Sequence, residues 1–337
     1  VGLTSCPACA EPVGSKDRFC ENCGQSLLVR RTPLGGPLST GAAGERKCIA
    51  CGSANLGEEG FCDDCGRAQP SGRDRMESDL GMVVGISDKG LRRTRNEDSM
   101  AFGVVLGADA PPTVVAVVCD GVATSDRADS ASQLAVDEAT TVLLDAVLAG
   151  ADAGAATKAA VARAIDVVSE LADPSVPGTA PSCTYVSAVV TPTEATIGWV
   201  GDSRIYWLAA GADAIPSRVL TIDDTVAAEL IAEGMPEDEA NAVHQAHALS
   251  KWIGADAGPI EPRVITIQPN GPGHVLLCSD GLWNYLPEAQ SLADAMAGST
   301  DDMAAAAELT RLALEMGGHD NITAVLVPFP PTDRSES

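Results

Sequence analysis

Four short acidic turns carry the residues best suited to chemistry. Val118-Cys119-Asp120-Gly121 and Leu277-Cys278-Ser279-Asp280-Gly281 each close an apolar run with a carboxylate followed by a glycine. Gly201-Asp202-Ser203-Arg204 follows Ile197-Gly198-Trp199-Val200, and His319-Asp320-Asn321 precedes the apolar run 322–327. Four strands thus deliver or receive an aspartate at one end. Ionised carboxylates held close to a core repel one another and cost several kcal/mol unless compensated. A cation is the expected compensation. Ligands that are all oxygen suit magnesium, manganese or calcium rather than zinc or copper.

A further acidic pair, Glu97-Asp98, follows Arg92, Arg93 and Arg95. Arginine presents a planar fork that matches two phosphate oxygens. Metal ions beside such a fork suit a phosphate substrate gripped from two sides. Two cations about 3.5–4 Å apart can activate a water for in-line attack on phosphorus, with no serine or cysteine nucleophile.

The N-terminal region carries different chemistry. Cys6-x-x-Cys9 is followed after ten residues by Cys20-x-x-Cys23, and Cys48-x-x-Cys51 after ten by Cys62-x-x-Cys65. Both second pairs sit in the frame Phe-Cys-x-x-Cys-Gly, at Phe19–Gly24 and Phe61–Gly66. The spacing predicts two tetrahedral four-cysteine zinc sites, each closing a ribbon with almost no core of its own. Binding would supply about 10–16 kcal/mol per site toward folding. Four thiolates leave no open position, so these zinc ions are structural.

The chain of 337 residues is long enough for about two domains. Its net charge of −25 is uneven: residues 1–75 hold nine basic and nine acidic side chains, so the whole excess lies in 76–337. So acidic a body repels nucleic acid and anionic lipid. No apolar run reaches the 18–20 or so residues that span a bilayer. No basic-then-apolar leader pattern precedes the cysteines. A cytoplasmic location is expected, where thiols stay reduced and clustered cysteines bind metal.

The ribbons are expected at 1–26 and 48–68, with flexible linkers at 27–47 and 69–80, a large domain at 81–329 and a tail at 330–337. Strands rich in Val, Ile and Thr are predicted at 82–87, 99–106, 113–119, 184–190, 196–200, 204–208, 264–267, 275–278 and 322–327. Two consecutive helices are predicted at 126–148 and 153–171. Helices that follow one another, away from hairpin-like strands, favour antiparallel sheets in an α+β layered domain. Residues 223–254 read as a helical, acidic flap beside the site. Cys119 and Cys278 read as small apolar strand residues, the four tryptophans as packing, and His244, His247 and His274 as surface positions. His319 adjoins Asp320 and is a candidate neighbour of the site.

From Gly81 to Val327 the chain resembles the metal-dependent protein serine/threonine phosphatases of type 2C, the PPM family. The motifs follow the family's order: Arg93-x-x-Asn96-Glu97-Asp98, Asp120-Gly121, Gly201-Asp202-Ser203-Arg204, Ser279-Asp280-Gly281 and Asp320-Asn321-Ile322-Thr323. The resemblance implies a four-layer α-β-β-α sandwich of two antiparallel sheets with two or three magnesium or manganese ions between them. It implies that Asp120 bridges two metals, that the Gly121 carbonyl binds one, and that Asp280 and Asp320 complete the other. Glu97 and Asp98 would act through water, Arg93 would hold the substrate phosphate, and Asp202 with Asp280 would hold a loose third metal. Asn321 would orient Asp320 or close its turn. Two departures stand out. Val122-Ala123-Thr124 follows Gly121, so no histidine general acid stands there, and Ser182-Cys183-Thr184 replaces the usual Gly-Thr-Thr.

The expected function is hydrolysis of phosphoserine and phosphothreonine in proteins, opposing protein kinases. The alternative is a pseudophosphatase that binds phosphoproteins without turnover. The ribbons read as a docking module for a substrate, a kinase or a regulatory protein, and nucleic acid is disfavoured by their neutral charge. On this reading, removing residues 1–75 leaves small-ester hydrolysis intact.

Overall fold

Hydrophobic alternation with a period of two builds the centre of this molecule. In the computed structural model, described residues are 72–332 except 107–110, 174, 176–178 and 212–213; before them come 6, 9, 11–14, 17–24, 26–36, 48, 53–55 and 61–66. The chain begins with β1 (Val29–Arg31), β2 (Arg75–Asp79), β3 (Val84–Asp88), β4 (Ser99–Val105) and β5 (Thr113–Cys119). Helices α1 (Ala128–Leu148) and α2 (Ala153–Ser169) follow, then β6 (Ser182–Cys183), β7 (Tyr185–Val190), β8 (Ala195–Val200), β9 (Arg204–Ala209) and β10 (Arg218–Val219). Next come α3 (Val226–Ala232), α4 (Glu237–Asn241), β11 (Ile253–Gly254), β12 (Arg263–Ile267) and β13 (Gly273–Cys278). The chain closes with α5 (Asp280–Trp283), α6 (Ala289–Met296), α7 (Asp302–Glu315) and β14 (Ile322–Phe329).

Two six-stranded sheets result, ordered β1-β4-β5-β7-β8-β12 and β10-β9-β13-β14-β3-β2, with all named pairings antiparallel. On β5, Val114, Ala116 and Val118 face the core between the sheets, while Val115, Val117 and Cys119 face α1 and α2. On β14, Val325 and Val327 point between the sheets, and Ile322, Ala324 and Leu326 point to α5, α6 and α7. The central strands of each sheet are covered on both faces, as their nearly unbroken apolar sequences require. The layers are helix, sheet, sheet, helix, the four-layer architecture expected. Ala131, Ala135 and Ala139 on α1 and Ala160 and Ala164 on α2 are fully buried, so small side chains let the helices lie close to the sheet.

Two stretches read as flexible linkers belong in part to the sandwich. Val29–Arg31 pairs with Val105–Gly103 of β4 as an edge strand, and Thr32 Oγ1 lies 3.3 Å from the Phe102 carbonyl. Arg75–Asp79 pairs with β3 on the edge of the other sheet, burying Met76 between the sheets. Short strands carrying charge are typical of edges, and pairing with β4 and β3 overrides their polar composition. Removal of residues 1–75 would therefore strip β1 and the first residue of β2, so it is not a neutral deletion. The stretch 223–254 is less helical than expected. It holds only α3 and α4 around a small cluster of Ala227, Ala240 and Ala246 before it reaches β11.

Among the described residues, no helix is long and apolar enough to cross a membrane.

Candidate active site

Strand register brings the acidic turns together. Ser99 pairs with Cys119 at the open end of the β4–β5 hairpin, so Asp98 and Asp120 leave that end side by side. Cys278 pairs with both Ala324 and Arg204 in the other sheet. Asp280, just after β13, therefore stands between Asp320, just before β14, and Asp202, just before β9. The turn 201–203 also carries the chain from β8 in one sheet to β9 in the other. The five aspartates converge where the two sheets meet at one end.

Close backbone contact requires glycine at two of these turns. A Cβ on Gly281 would lie 1.9 Å from the Asn321 carbonyl oxygen, and one on Gly121 would lie 2.7 Å from that of Glu97. These Asp-Gly pairs are thus fixed by the approach of neighbouring chain segments, apart from any role in chemistry.

Asp98 is fully buried. The hydroxyls of Ser279 and Thr323 each donate to its Oδ2 at 2.7 Å. Its Oδ1 has no hydrogen-bond partner, and neither does buried Asp280 Oδ1. Burial pushes the Asp98 carboxyl up to about 7, with the nearby charges of Asp280 and Asp320 adding to the rise. Burial likewise raises Asp202 to about 7 and Asp280 to about 6, again with neighbouring carboxylates contributing. Asp120 is pushed well above the usual range by desolvation and then by Asp98, Asp280, Asp202 and Asp320. Buried orphan oxygens among mutually repelling carboxylates are a donor set that fits a hard divalent cation.

Guanidinium groups edge this cluster. Arg93 Nη2 hydrogen-bonds Asp320 Oδ2, and Arg95 Nε donates to Glu97 Oε1 at 2.8 Å. Arg95 is thus paired with a site carboxylate. The Asn321 backbone amide donates to Asp320 Oδ1 at 2.8 Å, while its side chain holds a different segment. Asn321 Oδ1 accepts from the Glu97 amide at 2.7 Å, and its Nδ2 donates to the carbonyls of Lys89 and Arg95 at 2.8 and 3.0 Å. The side chain therefore clamps the whole arginine-bearing loop.

Some positioning residues were not predicted for the site. Trp283, read as packing, donates from Nε1 to the Asp202 carbonyl at 2.9 Å and lies under the Arg204 guanidinium at 3.7 Å. Thr184 Oγ1 accepts from the Asp120 amide at 3.0 Å and lies 2.7 Å from Ser203 Oγ, so the Ser-Cys-Thr departure still ties two acidic turns together. Periodicity gives no signal for either. Cys119 and Cys278 are fully buried in the helix-facing cores, consistent with packing. His319 Nδ1 lies 2.6 Å from the Tyr285 hydroxyl, His274 pairs with Asp302 at 3.0 Å, and His244 and His247 are exposed.

In the N-terminal region, the sulfurs of Cys6, Cys9, Cys20 and Cys23 lie within 4.8 Å of one another, as do those of Cys48, Cys62 and Cys65. Cys51 lies outside the described residues. Gly24 and Gly66 each donate a backbone N–H to the carbonyl of the cysteine four residues earlier, Cys20 and Cys62, at 2.8 Å, with φ of +74° and +70°.

Comparison with known proteins gives this geometry a class. The family model described as Protein phosphatase 2C matches residues 92–315, and the one described as Double zinc ribbon matches residues 6–66. The chain belongs to the protein phosphatase 2C family and is a protein serine/threonine phosphatase with an N-terminal double zinc ribbon. It is 31% identical over 249 residues to the serine/threonine phosphatase Stp of Listeria monocytogenes serotype 4b, covering 72% of this chain and 93% of that protein. It is 29% identical over 252 residues to the Stp of Listeria innocua, with the same coverage. Among solved structures, it resembles the Mycobacterium tuberculosis phosphatase PstP/Ppp with a TM-score of 0.59 and 26% identity, over 73% of this chain and 97% of that one. A structure of the PstP catalytic domain in complex with two manganese ions matches over the same shares, with 26% identity and a TM-score of 0.57.

Proposed function

We propose that the acidic cluster holds two manganese or magnesium ions, with a third held more loosely by Asp202 and Asp280, and that the enzyme hydrolyses phosphoserine and phosphothreonine in protein substrates. The observation that carries this reading is the pair of buried, unpartnered oxygens, Asp98 Oδ1 and Asp280 Oδ1, inside a cluster of repelling carboxylates. The manganese-bound PstP neighbour supports it. Asp120 would reach both main ions, the Gly121 carbonyl would add a ligand to one, and Asp280 and Asp320 would complete the other. Glu97 and Asp98 would hold water around them. When bound, the ions supply Lewis acidity toward the phosphoryl oxygens and activate a water near neutral pH.

The chain's own residues do the rest. Arg93 lies within reach of Asp320 and would turn its fork to two phosphate oxygens, orienting the ester for in-line attack. Ser279 and Thr323 fix one oxygen of Asp98, so the other keeps a single aim. No histidine follows Gly121, and the departing alkoxide would take its proton from water. Manganese-dependent hydrolysis of para-nitrophenyl phosphate and a phosphothreonine peptide tests the proposal. Absence of turnover in a preparation with bound manganese would retire it in favour of a pseudophosphatase.

The ribbons would each hold one structural zinc, through Cys6, Cys9, Cys20 and Cys23 and through Cys48, Cys51, Cys62 and Cys65, in a reducing compartment such as the cytoplasm. They would dock a substrate, a kinase or a regulatory protein. Two zinc ions per chain are expected by atomic absorption, falling to one in Cys20→Ser and to one in Cys62→Ser. Retention of two in either variant would remove that cysteine from the ligand set.

A further inference from the structure

The family model for the catalytic domain starts at residue 92, yet the loop that carries Glu97 and Asp98 rests on a residue well before it. Arg73 sits in the 3-10 turn Gly72–Asp74, ahead of β2. Its Nη2 donates to the Asp98 carbonyl at 3.2 Å and to Ser99 Oγ at 3.0 Å. Its own carbonyl accepts from Asn96 Nδ2 at 3.1 Å. Ser99 Oγ lies 2.9 Å from Ser132 Oγ, and the Ser132 hydroxyl donates to the Glu97 carbonyl. Residues 96–99 are thus pinned from two sides, by Asn321 within the family motifs and by Arg73 outside them.

Arg73 is in turn held from the segment between the ribbons. Its Nη1 donates to Gln133 Oε1 on α1 at 2.5 Å. Gln133 Nε2 donates to Asp137 Oδ2 at 3.1 Å, and that same oxygen accepts from the Gly35 amide at 2.9 Å. A Cβ on Gly36 would lie 3.0 Å from Gln133 Oε1, so the chain passes directly over the group that aims Arg73. Residues 35 and 36 follow β1. Leu27, just before β1, packs with Cys6 and Cys20 of the first ribbon. Hydrogen bonds thus run from the backbone of Asp98 through Arg73, Gln133 and Asp137 to the Gly35 amide, and the chain through β1 connects Gly35 to Leu27 on the ribbon.

We infer that Arg73 is a positioning residue for the metal centre, held in place by Gln133 beneath the segment 35–36, and that it thereby raises metal affinity at Glu97 and Asp98. This rests on the metal-centre reading above. Arg73 touches no reacting atom. Its loss should weaken metal binding while leaving substrate handling intact once metal saturates.

The test uses the full zinc-loaded chain. Manganese is titrated calorimetrically without substrate into wild type, Arg73→Ala, Arg73→Lys and Gln133→Ala. Turnover of para-nitrophenyl phosphate is then measured at saturating manganese. Groups that orient metal ligands typically change affinity about 10- to 100-fold when removed. Arg73→Ala should raise the manganese Kd at least about tenfold, with kcat and KM at saturating metal within about twofold of wild type. Arg73→Lys should recover part of the affinity through its donor to the Asp98 carbonyl, and Gln133→Ala should fall between. Folded Arg73→Ala with wild-type Kd would overturn the inference alone. If Arg73→Ala does not fold, wild-type Kd in both Arg73→Lys and Gln133→Ala overturns it. Wild type that binds no manganese would remove the metal centre and this inference together.

Discussion

Asp120→Asn should lose about 10³-fold or more in turnover of a phosphothreonine peptide, and Asp280→Asn a comparable amount. Metal-centre charge stabilisation supplies several kcal/mol to such reactions, and each 1.36 kcal/mol is a factor of ten in rate. On the proposal that Asp120 reaches both ions, a neutral amide in its place would withdraw most of it. The same substitution should have the opposite effect on the metal-free fold. Asp120 is raised well above the usual carboxylate range by burial and by four neighbouring aspartates. An amide there neither bears that repulsion nor has to take up a proton to escape it. With manganese dialysed away at pH 7.5 and zinc retained, Asp120→Asn should melt above wild type, by about 2–4 °C for each kcal/mol relieved in a domain of this size. With manganese present, it should melt below wild type. Tryptophan fluorescence reads this cleanly, because all four tryptophans, Trp199, Trp207, Trp252 and Trp283, lie in the catalytic fold. A variant that loses activity and melts lower in both conditions would point to a purely structural aspartate.

Metal and pH should act together on stability with a reversal of slope. Asp98 and Asp202 are raised to about 7 and Asp280 to about 6, against 3.8 for an unperturbed aspartate. Between these limits the folded protein binds more protons than the unfolded chain, so ∂ΔG/∂pH is negative. The contribution is fully present below about 4 and is lost as pH rises through 6 to 7. Metal-free protein should therefore melt progressively lower from pH 5.5 to 8. The net charge of −25 pushes in the same direction through self-repulsion, so this slope alone does not identify the site. Manganese does. On the proposed site it would bind the deprotonated carboxylates and release protons, so its affinity should grow with pH. In saturating manganese the melting temperature should hold or rise over the same range. A manganese effect equal at pH 5.5 and pH 8 would contradict the linkage.

The sequence displays the chemistry more openly than its supports. Residues 113–119 read as a strand and form β5 over those same residues, because an unbroken Thr-Val-Val-Ala-Val-Val-Cys run suits a strand covered on both faces. The acidic turns are legible for a related reason, since a charged residue at the end of such a run has few bland explanations. β1 and β2 are not legible. Val29-Arg30-Arg31 and Arg75-Met76-Glu77-Ser78-Asp79 are polar, and only a partner strand distant in sequence makes them strands. Helix α7 does carry local signals: Asp301 caps its first turn by accepting from the Ala304 amide, and Ala305, Ala306, Leu309 and Ala313 form a buried stripe. Arg73, Thr184 and Trp283 act through backbone carbonyls, amides or other side chains. No residue-type pattern announces a contact that exists only after two sheets have closed.

The central claim is that the aspartates at these strand ends share divalent cations. It is tested most directly by anomalous diffraction from crystals grown with manganese. The account predicts two strong peaks among Asp98, Asp120, Asp280 and Asp320, with Asp120 touching both, and no peak at that position in crystals of Asp120→Asn. Manganese bound elsewhere on the acidic surface, with those carboxylates bare, would contradict it.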